Sequence, residues 1–206
     1  MYRRYIKRTF DFVLAAIGLV VLSPLFVLLC IVIKLDSRGM VFFKQKRLKE
    51  NKIEFYILKF RTMKSDTPAN VPTNLLENPD LYITRVGKFL RKSSLDELPQ
   101  MLNILKGDMS IIGPRPALPN QYNLIIERDK YGANDVRPGL TGLAQISGRD
   151  ELEDSIKARL DGEYVKKICF TTDVKIFLRT ILSVIKSEGV SEGAKEKTCI
   201  EESLKL

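Results

Sequence analysis

A mixed α and β, helix-rich fold is expected, with an N-terminal re-entrant membrane helix hairpin followed by a cytoplasmic domain that carries a short β-hairpin and amphipathic surface helices. Three observations predict it. Phe12 to Ile33 is free of charge, residues 41–60 alternate apolar and polar about a polar turn, and later segments show helical periodicity between glycine- and proline-rich loops. The 206 residues, 45% hydrophobic and 29% charged, suffice for one domain with an appendage. The boundaries are residues 1–38 for the membrane helix, 39–190 for the cytoplasmic domain and 191–206 for a charged, flexible tail.

The apolar run comes first. As a helix it would extend about 33 Å at about 1.5 Å per residue, against a hydrocarbon core of about 30 Å. Ser23-Pro24 stands at its midpoint. Proline removes a helical donor and collides with the carbonyl four residues back, Val20, so a bend is expected there. The Ser23 hydroxyl is available to satisfy a freed backbone group. Cations flank both sides, Arg3, Arg4, Lys7 and Arg8 before and Lys34, Arg38, Lys44, Lys46 and Arg47 after, whereas a spanning helix has one positive side. A hairpin that enters and leaves the cytoplasmic leaflet accounts for both features. An ordinary spanning helix is the alternative; a signal peptide fits poorly, because the run is too long and lacks a small-residue cleavage site.

Residues 41–60 read as two short strands around a turn at Lys49 to Lys52, and residues 64–80, with three prolines, as a loop able to close over a ligand. The stretch "ITRVGKFLRKSSLDELPQMLNILKGDM" reads as helix, break, helix. Ser94 and Glu97 fit a Ser-x-x-Glu capping box, with Asp96 in the first turn of the second helix. Both "GDMSIIGPRPALP" and "DVRPGLTGLAQISGRD" read as loops, the second holding a short strand at Leu143 to Ser147. Residues 173–189 form an amphipathic helix with Ile176, Phe177, Thr180, Ile181, Val184 and Ile185 on one face, packed on the core or laid on a membrane surface.

The formal charge of +9 implies an acidic partner: nucleic acid, anionic lipid or a phosphorylated substrate. The chain has no histidine, which excludes Ser/His and Cys/His nucleophile pairs and His-rich zinc sites. Cys30, Cys169 and Cys199 show no metal or disulfide spacing and read as reduced thiols. Chemistry falls to carboxylates, Lys, Arg or Tyr. Asp96 and Glu97 are adjacent, and Pro99 just after them deletes a helical hydrogen bond, leaving the Leu95 carbonyl in need of a partner. Capping alone explains their charge, worth about 0.3–1 kcal/mol in a first turn. The functional reading is that donors and dipole at the helix start keep Asp96 ionised as a carboxylate nucleophile, and that the pair suits a magnesium ion bridging to phosphates. Among the cations, Arg115 in "GPRP" and Arg137 in "VRPG" sit where the backbone is fixed and a diphosphate can approach. Neither a P-loop nor a dinucleotide fingerprint is present.

In order along the chain, "KRTFDFVLAAIGLVVLSPLF", "FYILKFRTM", "GKFLRKSSLDELPQMLNILKGDMSIIGPRP" and "DVRPGLTGLAQISGR" resemble the bacterial sugar transferase family, the monotopic polyprenyl-phosphate phosphoglycosyl transferases. The resemblance covers nearly the whole chain, which looks like the small, core-only type. It implies a magnesium-dependent enzyme at the cytoplasmic face of the bacterial inner membrane, moving a sugar 1-phosphate from a UDP-sugar to undecaprenyl phosphate as a first step of glycoconjugate synthesis. It further implies that Asp96 is the nucleophile and Glu97 its metal-associated neighbour, that Lys59, Arg91 and Arg115 surround the phosphates, and that Asp161 lies near the site. Ser23-Pro24 matches the family's helix-breaking pair. After Asp161, Gly162 and "KKICF" depart from the family's pattern. Membrane lipids are expected partners, a homo-oligomer is compatible with the sequence, and nucleic acid is not expected, for want of any binding motif. The rival reading, a non-catalytic membrane-anchored basic adaptor, gives Asp96, Pro99 and the "GPRP" loop no purpose.

Overall fold

The computed structural model describes residues 2–64, 67, 81–148 and 152–186. A π-helical turn, Tyr2–Ile6, leads into α1, Lys7–Val21, and α2, Ser23–Asp36. Among the described residues no single helix is long and apolar enough to cross a membrane, but α1 and α2 together pass that test with a bend of 63° between them. The bend follows from local chemistry. Pro24 has no N–H to offer the Val20 carbonyl, and the Ser23 hydroxyl donates to it instead at 2.8 Å.

Strands β1, Phe42–Leu48, and β2, Glu54–Phe60, form the antiparallel hairpin expected, from Phe42 opposite Phe60 to Leu48 opposite Glu54. Asn51 and Lys52 turn the chain in the left-handed region, at φ 58° and 60°. Both limbs of the bent pair dock on β2. Ala15 of α1 packs with Phe55, Ile57, Ile104 and Met109, and Leu29 and Ile33 of α2 pack with Phe60 and Leu90. Outside these stripes the pair presents bare hydrocarbon, including Phe12, Val13, Leu14, Ile17, Val20, Val27, Leu28 and Ile31. A water-facing surface of this kind carries a free-energy cost of about 25 cal/mol per Å², so it requires an apolar cover.

Polar anchors reinforce the docking. Arg8 of α1 donates to the Ile104 and Leu105 carbonyls. Arg61 donates to the Ser37 and Arg38 carbonyls just beyond α2, satisfying groups that a helix end leaves free. Asp173 accepts from Tyr2, Lys7 and Tyr164 at 2.7, 2.7 and 2.8 Å, tying the chain start to the last helix.

Helices α3, Arg85–Lys92, and α4, Gln100–Lys106, flank a 3₁₀ turn at Leu95–Glu97. Next come β3, Ser110–Ile112, α5, Tyr122–Asp129, and β4, Gly139–Thr141, with β3 and β4 paired in parallel. The segment holding β3 was expected to be loop. The strand expected at Leu143 to Ser147 is instead a short helix, α6, Leu143–Ile146, because strand pairing is used up two residues earlier. Helices α7, Asp154–Lys166, and α8, Phe170–Lys186, complete the described chain. In α8 Ile176 is buried, whereas Phe177 and Ile181 are 44% and 42% exposed, so the expected single face divides between core and surface. Most of the proline-rich loop at 64–80 and the whole 191–206 tail lie outside the described residues.

Candidate active site

Asp96 and Glu97 sit in the 3₁₀ turn between α3 and α4, where the chain is forced into a tight path. Ser94 enters it in the left-handed region, φ 56°, and its side chain makes no capping bond. The expected capping box is therefore not formed. Its failure has a clear cause: the Glu97 carboxylate is taken by cations, with Lys59 Nζ at 2.7 Å and Arg115 Nη2 at 3.2 Å from Oε1. The Leu95 carbonyl, expected to lose its partner to Pro99, accepts from the Leu98 N–H at 3.2 Å. Pro99 itself stands just before α4, a position where a missing N–H leaves nothing unpaired.

The two carboxylates have opposite electrostatics. Burial opposes the charge on Glu97, but Lys59 and Arg115 outweigh it and hold the carboxyl down at about 2. Asp96 is also buried, with Lys59 Nζ at 3.7 Å, too long for a hydrogen bond. Burial pushes its carboxyl up, and the charge on Glu97 adds to this, while Lys59, Arg91 and Arg115 pull the other way. The turn is too short to supply a helix macrodipole, so the charge on Asp96 is set by burial, which disfavours it, and by Lys59, Arg91 and Arg115, which favour it.

Lys59 is delivered by β2, and its alignment with the dyad depends on a residue that the motifs did not flag. Asn103 of α4 accepts from the Leu58 N–H at 2.9 Å and donates to the Tyr56 carbonyl at 2.8 Å. It pairs like a strand with the outer edge of β2, fixing α4 against the residue before Lys59. In the sequence it is one of two polar side chains, with Gln100, on the helix face that Ile104 shares.

Arg91, at the end of α3, lies within electrostatic reach of Asp96. Arg115 comes from the loop after β3. Lys59, Arg91, Asp96, Glu97 and Arg115 are therefore brought together. Arg137 is placed differently, with its side chain 3.7 Å from Glu50 in the hairpin turn. Asp161 is paired with Arg128, at 2.6 Å. Ser23 and Pro24 occupy the bend between α1 and α2.

A magnesium ion takes one or two protein carboxylates and completes its shell with water and phosphate oxygens. Among the described residues no group of three or more acidic, Cys or His side chains could hold a metal alone. The adjacent pair fits an ion that arrives with phosphate, and Asp96, buried with no hydrogen-bonding cation among the described residues, is the carboxylate such an ion would satisfy.

The profile of the bacterial sugar transferase family matches residues 2–187. The chain is 38% identical to exopolysaccharide production protein ExoY of Rhizobium meliloti over 197 residues, 89% of this chain and 87% of that protein. It is 40% identical to an undecaprenyl-phosphate glucose phosphotransferase of Komagataeibacter xylinus, over 89% of this chain but 36% of that protein. It is also 40% identical to the UDP-glucose:undecaprenyl-phosphate glucose-1-phosphate transferase of Escherichia coli, covering 86% of this chain and 40% of that protein.

Proposed function

The chain belongs to the bacterial sugar transferase family, and from that premise we propose that it transfers a sugar 1-phosphate from a UDP-sugar to undecaprenyl phosphate at the cytoplasmic membrane face, through a covalent phosphosugar on Asp96. Phosphoglycosyl transfer is the activity named for its relatives from K. xylinus and E. coli. The observation that carries the reading is the buried dyad, one carboxylate neutralised by Lys59 and Arg115 and the other, among the described residues, held by a cation only at 3.7 Å.

In the first step an Asp96 carboxylate oxygen forms a bond to the sugar-bearing phosphorus as the bond from that phosphorus to the bridging oxygen breaks, and uridine monophosphate leaves with the electron pair. In the second, a phosphate oxygen of the lipid attacks the same phosphorus. The acyl phosphate bond breaks, Asp96 returns as carboxylate, and a lipid diphosphate sugar is released. Lys59, Arg91 and Arg115 supply positive charge where the phosphoryl oxygens gather it. Asp96 and Glu97 would hold magnesium, which neutralises phosphate charge and favours the ionised form of Asp96 that burial disfavours.

The two-step route suits a soluble donor and a membrane-bound acceptor, since they visit one site in turn. The packing favours a re-entrant pair: α1 and α2 both rest on β2 of the same domain, as expected of a chain that returns to the side from which it entered. The test is to incubate the purified protein with magnesium, undecaprenyl phosphate and a panel of UDP-sugars and measure released uridine monophosphate. Release with at least one sugar is expected; release with none, from folded protein, would favour the adaptor reading.

A further inference from the structure

The pairing of Asp161 with Arg128 has a use beyond its own charge. Arg128 of α5 and Asp161 of α7 are almost wholly buried, with side chains 5% and 2% exposed. Two nitrogens of the guanidinium, Nε and Nη2, meet Asp161 Oδ2 at 2.8 and 2.6 Å. The third, Nη1, donates to the backbone carbonyl of Arg115 at 2.9 Å. A buried ion pair is often no more stable than an apolar replacement, so this one calls for a role other than stability.

The surroundings indicate what the role is. Four successive carbonyls of the loop that carries Arg115 are held from β4, α5 and the end of β1. Gly139 N–H donates to Pro114 O at 2.8 Å, Arg128 to Arg115 O, Arg47 to Pro116 O at 3.0 Å, and Leu48 N–H to Ala117 O at 2.9 Å. The bond to residue 115 comes from a side-chain charge pair buried in the domain. Gly162 permits the approach of α7: a Cβ there would lie 2.4 Å from Tyr131 Cβ. With that glycine α7 sits close enough to α5 to set Asp161 on Arg128.

We propose that Arg128, aligned by Asp161, is a positioning residue that fixes the backbone of Arg115 so that its guanidinium meets Glu97 and the donor phosphates. This rests on the reading of Arg115 as part of the active site. Arg128 touches no reacting atom; it removes freedom from the cation that does, as partners behind a ligating side chain do in metal sites.

The test is a mutant cycle read as kcat/KM, using the UDP-sugar that gives most uridine monophosphate with undecaprenyl phosphate. One arm is Arg128→Gln with Asp161→Asn, which leaves no unpaired buried charge. The second is Arg128→Lys, which keeps an ion pair with Asp161 but lacks the fork needed to reach Arg115 O as well. Each is made with Arg115 intact and with Arg115→Ala. With Arg115 intact, either change should lower kcat/KM by about 10- to 100-fold in folded protein, the usual effect of losing such a support. In the Arg115→Ala background the same changes should alter it by no more than about twofold. A role in general stability would give the same fold-loss in both backgrounds, and that result overturns the proposal. Full turnover by Arg115→Ala alone would overturn it through its premise, which separates the two failures.

Discussion

Replacing Lys59 by methionine tests the electrostatics of the dyad at its centre. The ammonium lies 2.7 Å from Glu97 and 3.7 Å from Asp96, with its side chain 18% exposed. At an effective dielectric of about 20, unit charges about 4 Å apart attract by about 4 kcal/mol, and removing one partner of a buried pair costs about 3–5 kcal/mol. A second route gives a similar figure. Glu97 is lowered from 4.5 to about 2, and at about 1.4 kcal/mol per pH unit this corresponds to about 3 kcal/mol, shared between Lys59 and Arg115. Arg115 remains in the variant, so about 2–3 kcal/mol is expected, a fall in Tm of about 4–12 °C for a chain of this size. The sign with pH follows. A carboxyl lowered on folding contributes stability that is present above about 4.5 and lost as pH falls through about 2. The gap between wild type and Lys59→Met should be full at pH 7 and narrow across that window. Thermal unfolding in detergent micelles measures it, with Glu97→Gln added to the variant expected to recover most of the loss. A Tm within about 2 °C of wild type at pH 7, or no recovery in the double variant, would refute this reasoning.

Two further outcomes follow from the geometry. With Ser23 and Pro24 both changed to alanine, the Val20 carbonyl regains a backbone donor and the 63° bend should relax toward a straight, spanning helix. A cysteine placed at Tyr2 and labelled in intact cells should be protected from outside reagent in the parent protein and partly reactive in the variant; outside labelling of the parent would contradict a re-entrant pair. The exposed Cys169 thiol is lowered to about 7 by the Thr171 and Thr172 hydroxyls at 3.1 and 3.2 Å. Its alkylation, followed by mass spectrometry of the peptide, should rise with a midpoint near pH 7, and Thr171→Val with Thr172→Val should move that midpoint upward; a midpoint near 9 in the parent would show that those hydroxyls do not stabilise the thiolate.

What the sequence made legible was mostly local. The β-hairpin follows from its period-two alternation, and the bend from Ser23-Pro24, because each depends on neighbours within a few residues. The capping box failed where the partners are distant: Glu97 is claimed from 38 residues upstream by Lys59 and 18 downstream by Arg115, and no spacing rule reports that competition. The parallel pairing of Ser110–Ile112 with Gly139–Thr141 was hidden for the same reason, since three-residue strands carry too few side chains to show alternation. Residues 143–146 could not be told apart as helix or strand by an apolar run of that length. Arg61, Arg8 and Arg128 hold backbone carbonyls. Charge is legible in a sequence, but the carbonyl it will meet is set by tertiary packing. Asp96 and Glu97 were found because Pro99 made their turn unusual; that burial would raise one carboxyl and cations lower the other required the fold.

The central claim is that Asp96 carries the phosphosugar between two substrates, and the mass of the intact protein tests it most directly. Wild type and Asp96→Asn, both shown to be folded, are exposed briefly to magnesium and the active UDP-sugar without lipid acceptor. Wild type should gain the mass of one sugar phosphate and lose it when undecaprenyl phosphate is added, while Asp96→Asn, lacking the nucleophilic oxygen, should gain nothing and release no uridine monophosphate. An adduct that persists in Asp96→Asn, or a wild type that turns over only when both substrates are present and never gains mass, would contradict the account.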